Sequence, residues 1–167
     1  MLHLIASCIL LVGFGCSHDP LDTLERQIGQ LTYWQQSYEA PVGNSREQDF
    51  YKLQRLVVSV LGVKIQAGAM PGIAGFTVRE TRIISLDPTL SPNAGLQVLA
   101  HEAAHVLQPE GLTKPEGEVF ADAVALLVTG DDVRVFSHYL AGSKSGLHVL
   151  KTYRREIQWA ARVLSGR

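Results

Sequence analysis

The chain has 167 residues, 46% of them apolar and 19% charged, which is the balance of one globular domain rather than of a disordered chain. Fifteen basic against sixteen acidic side chains give a formal net charge of −1, and no basic block follows a phosphate backbone, so nucleic acid is not an expected partner. Cys8 and Cys16 are the only cysteines. Beyond residue 16 neither a disulfide nor a thiolate metal site can form, and any metal must be held by His and carboxylate.

The first eighteen residues carry no Lys, Arg, Asp or Glu, and Leu4 to Phe14 is apolar apart from Ser7, Cys8 and Gly13. This is shorter than the roughly 20 apolar residues of a bilayer span and reads as the apolar region of a secretory signal over residues 1–16. The stretch ends in Val12-Gly13-Phe14-Gly15-Cys16-Ser17, which resembles a bacterial lipoprotein signal, where a small residue precedes a cysteine that is lipidated after cleavage. An ordinary cleaved signal and a buried N-terminal segment are the other readings. The expected location is secreted or periplasmic, at the cell envelope, with a membrane tether through Cys16.

Leu21, Leu24, Ile28, Leu31, Trp34 and Tyr38 recur at intervals of three and four, and predict an amphipathic helix that ends before Pro41-Val42-Gly43-Asn44-Ser45. A second helix is predicted with Phe50, Leu53, Leu56, Val57, Val60 and Leu61 on its core face. Between Val63 and Leu86 the period shortens. Val63–Ile65, Gly75–Val78 and Thr81–Leu86 read as two or three antiparallel strands. Asp87-Pro88 closes the last strand, and Ser91-Pro92 opens a helix with Ser91 as N-cap and Pro92 at its first position. Further helices are predicted over about 114–129, 131–141 and 146–164. Residues 17–167 thus read as a single α+β domain.

The helix after Pro92 carries His101-Glu102-Ala103-Ala104-His105. At about 100° per residue, positions four apart lie one turn apart on one helical line, so both imidazoles can reach a single metal ion. Glu102 lies about 100° round from His101, placed to accept a proton from a metal-activated water rather than to ligate. By chance these three identities would recur roughly once in a few hundred chains of this length. Leu96, Val98, Leu99, Ala100, Val106 and Leu107 flank the motif without a charge, so its helix belongs in the interior, where two histidines and a glutamate need a partner. Zinc, peptide hydrolysis and Glu102 as general base are the expectation.

A catalytic zinc takes three protein ligands and keeps one position open. Glu110, Glu116 and Glu118 are candidates for the third. Thr113-Lys114-Pro115-Glu116 reads as a capping box, which commits Glu116 to a helix start and leaves Glu118 for the metal. Glu118, Ala121, Asp122 and Ala125 share one helical face. Asp122 can then accept the free ring N–H of a ligand histidine; a solvated helix charge is the other reading.

His101, Glu102, His105, Glu118 and Asp122 match the gluzincin pattern, His-Glu-x-x-His followed on a later helix by a glutamate ligand and an aspartate four residues after it. Among small gluzincins, residues 75–128 most resemble the ImmA/IrrE-like peptidases, through Ile83–Pro88 before the motif helix and Glu118–Ala125 after it. The resemblance covers about a third of the chain. It implies a small zincin-like domain in which the strand Thr81–Leu86 edges the cleft and pairs with an extended peptide or protein substrate. Those relatives are usually cytoplasmic, and the signal-like start sets this chain apart from them.

For an oxyanion donor, His138 and Tyr139 are the first candidates, with His148 and Tyr153 after them. Lys151, Arg154 and Arg155 read as a solvated face and Trp159 as core. Three functions compete: a zinc metallopeptidase of the envelope, a catalytically idle lipoprotein in which zinc staples a binding module, and an amidase acting on peptidoglycan peptides. Nothing in the sequence sets the oligomeric state.

Overall fold

The computed structural model describes residues 19–30, 46–68, 71–131 and 144–167. The signal, Cys16, the first helix beyond Gln30, the helix expected over 131–141, and His138 and Tyr139 lie outside the described residues. The described elements are α1 (Pro20–Gln30), α2 (Glu47–Leu61), β1 (Lys64–Ala67), β2 (Gly75–Val78), β3 (Ile83–Leu86), α3 (Pro92–Leu107), α4 (Lys114–Thr129), α5 (Lys144–Thr152) and α6 (Arg154–Ser165). The fold is α+β, as expected. None of these helices is long and apolar enough to cross a membrane.

The sheet is mixed, not antiparallel. Its order is β1-β3-β2, with β1 parallel to β3 and β2 antiparallel to it. The short turn over Arg79–Arg82 fixes β2 and β3 as a hairpin, and the connection after Ala67 carries the chain across to the far side of β3. β3 is therefore the central strand rather than the edge. Its Ile84 and Ser85 are fully buried, and Gln66 Nε2 donates to the Ser85 hydroxyl at 3.0 Å. Among the described residues β2 has one strand neighbour and a free edge.

Ser91 caps α3, accepting from the Ala94 N–H at 3.3 Å, with Pro92 at the first position. Residues 95–100 and 102–104 of this helix are all buried, because α3 packs on the sheet, on α2 and on α4 at once. Small residues allow these approaches. A Cβ at Gly75 would stand 2.6 Å from Val98 Cγ1 and 3.2 Å from Glu102 Cγ, so β2 touches α3 through a residue without a side chain. Ala100, Ala103 and Ala104 of α3 and Ala121 and Ala125 of α4 are fully buried between the helices.

Two cationic side chains fasten the ends of the helices. Arg46 Nη1 donates to Asp131 Oδ1 at 2.7 Å, and its Nη2 donates to the Thr129 carbonyl. The other Asp131 oxygen accepts from the buried Gln97 amide at 3.1 Å, so the starts of α2 and α3 are tied to the end of α4. Arg154 reaches Asp19 at 2.5 Å, Asp22 at 2.6 Å and Glu25 at 3.0 Å. It docks α1 onto α6 and is not the solvated charge expected of it, whereas Lys151 and Arg155 are exposed.

Three other expectations are corrected. The stretch 146–164 forms two helices that meet at Tyr153, whose φ of −106° and ψ of 25° break the helical run. Val60 is 58% exposed and Trp159 48% exposed. In α2 the buried residues are Leu53, Val57 and Leu61, at a strict spacing of four, and Val60 is not among them. In α6 the line Ile157, Ala160, Ala161 and Leu164 meets the core, which turns Trp159 outward.

The described part of α1 is joined to α6 through Arg154. Arg154→Met should lower the midpoint of urea unfolding at pH 7 by the equivalent of about 1 kcal/mol, since exposed ion pairs contribute about 0.2–1 kcal/mol each. Burial acts to raise the Asp19 carboxyl pKa, but the Leu21 N–H, Arg154 and Gln158 together hold it below the ordinary 3.8. Its contribution is complete above that value and lost as pH falls below it. The gap between wild type and variant should therefore close in acid, and a gap unchanged down to pH 3 would remove the ion pairs as its source.

Candidate metal centre

His101 and His105 stand on α3, one turn apart, with ring centroids 4.8 Å apart and planes at 82°. α4 brings Glu118 against both of them. His101 Nε2 lies 3.2 Å and His105 Nε2 3.6 Å from Glu118 Oε2, and the two Nε2 atoms are 3.1 Å apart. Ligands about 2.0–2.1 Å from a tetrahedral ion stand roughly 3.3–3.4 Å from one another, so this triangle has the edges a small divalent cation requires. These three residues could hold a metal ion.

Local chemistry explains why Glu118 arrives there and its neighbours do not. The Thr113 N–H and hydroxyl both donate to Glu116 Oε2, at 2.9 and 2.7 Å, which spends Glu116 on the start of α4. Glu110 lies in the exposed turn between the helices. Glu118 follows the buried Gly117 and projects towards α3.

Asp122, one turn further along α4, is nearly fully buried and accepts from His101 Nδ1 at 2.8 Å. With the proton on Nδ1, His101 presents Nε2 to the cluster. Burial alone would lower the His101 pKa, but its hydrogen bonds to Asp122 and Glu118 overcome this and push it up to about 10. Burial in turn raises the Asp122 carboxyl above its ordinary value, and both directions mean that the pair keeps its proton. The bond from His101 first, and then the nearby His105 ring, hold Glu118 well below the ordinary carboxylate range. Without a metal, a proton on His101 supplies the positive charge this cluster needs.

Glu102 is 7% exposed and points towards β2. The Thr77 hydroxyl lies 2.7 Å from Glu102 Oε2 and 2.9 Å from its backbone carbonyl, so the strand beside the motif helix fixes the carboxylate. His105 Nδ1 meets Gln108 Oε1 at 2.9 Å. Sequence reasoning named neither Thr77 nor Gln108. No pattern marks Thr77, because it arrives through the fold; Gln108, three residues after His105, had a readable spacing. Of the later candidates, His148 is exposed on α5 with Thr152 as neighbour at 3.5 Å, and Tyr153 packs on the core where α5 meets α6.

No family model, curated protein or solved structure matches this chain. The functional reading therefore stands on the residues and their geometry.

Asp122→Asn keeps the shape but replaces the carboxylate that orients His101. A divalent metal ion held by this cluster should be bound about 10–100-fold more weakly by the variant, read in competition with a chromogenic chelator, the usual effect of losing such a partner. Equal affinity would mean that Asp122 does not support the ligand.

Proposed function

We propose that this protein is a zinc-dependent metallopeptidase of gluzincin type, with His101, His105 and Glu118 as ligands and Glu102 as general base. The observation that carries the reading is the joining of two elements: a triangle of ligand atoms 3.1–3.6 Å apart, and a buried carboxylate on the same helix that belongs to a different contact. Among the described residues the cluster has three members, the number that a catalytic zinc takes from its protein.

A zinc ion in such a set supplies Lewis-acid activation of water and of a carbonyl group. Glu102 takes the proton from the attacking water and returns it to the departing amine, so peptide hydrolysis needs no covalent intermediate. Thr77 holds that carboxylate on the β2 side of α3. Among the described residues β2 keeps a free edge, and this strand, which meets the base through Thr77, is the one with which an extended peptide can pair, in place of β3, whose two edges are both used. The lipoprotein-like start at Cys16 supports a substrate in the cell envelope; a peptidoglycan amidase would use the same ligands.

Glu102→Gln preserves size and removes the base. With zinc added, the wild-type chain should cleave a peptide library. The variant should retain zinc stoichiometrically and lose at least a hundredfold in turnover, within the range general bases contribute. Retained turnover in the variant would sink the assignment of Glu102, and wild-type protein without zinc would sink the whole reading.

A further inference from the structure

The two ligand histidines are supported by different chemistry. His101 leans on a carboxylate, whereas His105 leans on the side-chain oxygen of an amide, Gln108 Oε1 at 2.9 Å. An amide oxygen only accepts, so with Oε1 facing the ring His105 would carry its proton on Nδ1 and offer the Nε2 lone pair to the cluster. Were the amide turned to present its NH₂, it would donate to Nδ1, move the proton to Nε2 and occupy the atom that faces the metal position. The orientation of one amide thus decides whether His105 is a ligand.

Three features of the fold hold the Gln108 side chain over His105. Gln108 is the first residue past α3, with φ −64° and ψ 142°, so its backbone leaves the helix while its side chain returns over the last turn to His105. Its carbonyl accepts from Arg79 Nη2, at the turn between β2 and β3, at 3.1 Å. The third feature is Gly117. A Cβ there would stand 3.0 Å from Gln108 Oε1, 3.4 Å from Nε2 and 3.5 Å from Cδ.

Gly117 has no positive φ, so its backbone would accept any residue, and glycine inside a helix costs about 0.5–1 kcal/mol relative to alanine. What requires glycine at 117 is the amide that lies on it. Gly117 directly precedes the ligand Glu118, so one contact registers the end of α3, with its second ligand, against the start of α4, with its third.

We infer that Gln108 is the positioning residue that fixes His105 as an Nε2 ligand, and that Gly117 is the gap that admits it. This rests on the metal reading above, and goes beyond it by assigning two residues that the ligand pattern does not contain.

The test uses four variants of the full chain, Q108L, Q108E, G117A and Q108L/G117A, and two readouts. In chelator competition Q108L should bind Zn²⁺ about 10–100-fold more weakly than wild type, with the circular dichroism and Tm of the metal-free protein unchanged. Q108E restores an acceptor and should recover wild-type affinity or exceed it. G117A should weaken binding in the same direction, and the double variant should be no weaker than Q108L, since both changes break one contact.

The second readout needs no metal. Long-range ¹H–¹⁵N correlation on the metal-free protein should show His105 protonated at Nδ1 in wild type and a growing Nε2–H population in Q108L. Wild-type affinity in Q108L with an unchanged tautomer would overturn the inference and leave the metal reading standing. Wild-type protein that binds no zinc would overturn the metal reading, while the tautomer spectrum would still decide the role of Gln108.

Discussion

Three carboxylates and two imidazoles meet here where two helices close on each other, and they cannot remain there without positive charge among them. A carboxylate taken out of water costs several kcal/mol unless it is paired and hydrogen-bonded. Glu118 lies within 3.6 Å of both rings and Asp122 is nearly fully buried behind one of them. The rise of the His101 pKa to about 10 expresses this demand, with a proton as its answer. A divalent cation answers it with one more unit of charge and with directional bonds. The same electrostatic need that makes the site costly to fold makes it one that could hold a metal ion.

The rest of the fold serves to keep those helices close. Alanines line the seam between α3 and α4, and Gly75 lets β2 lie against Val98 and Glu102, so backbone approach rather than large side chains sets the spacing. The capping box at Thr113 settles which glutamate is spent on the helix start. Arg46 ties α4 to α2 and α3 from the far end. None of these devices touches the atoms of the His101, His105 and Glu118 cluster, yet each fixes a helix whose rotation by a fraction of a turn would separate them.

Local rules made much of this legible in advance. Helix periodicity placed α2, α3 and α4, the Ser91-Pro92 and Thr113–Glu116 starts are short-range chemistry, and the spacing Glu118-x-x-x-Asp122 put two acids on one face. What escaped was set by contacts between segments distant in sequence. The parallel pairing of β1 with β3 depends on a crossover that no strand pattern reveals. Trp159 faces solvent because the line Ile157, Ala160, Ala161 and Leu164 is the face of α6 that meets the core. Thr77 reaches Glu102 across 25 positions of sequence, which only the folded sheet can arrange. His138, Tyr139 and Cys16 lie outside the described residues.

The unequal support of the two histidines follows from the same charge balance. Counted formally, Glu102, Glu118 and Asp122 bring three negative charges, and the protonated His101 leaves a net of two. A divalent cation in place of that proton leaves one. A carboxylate behind His105 would restore the second negative charge in a site already walled by apolar helices, whereas the neutral amide of Gln108 supplies an acceptor without adding to it. One acidic partner strengthens His101, and a neutral one orients His105 at no electrostatic cost. On this view, a glutamate at 108 would serve the metal as well as glutamine does but would add a charge that the metal-free fold must bear.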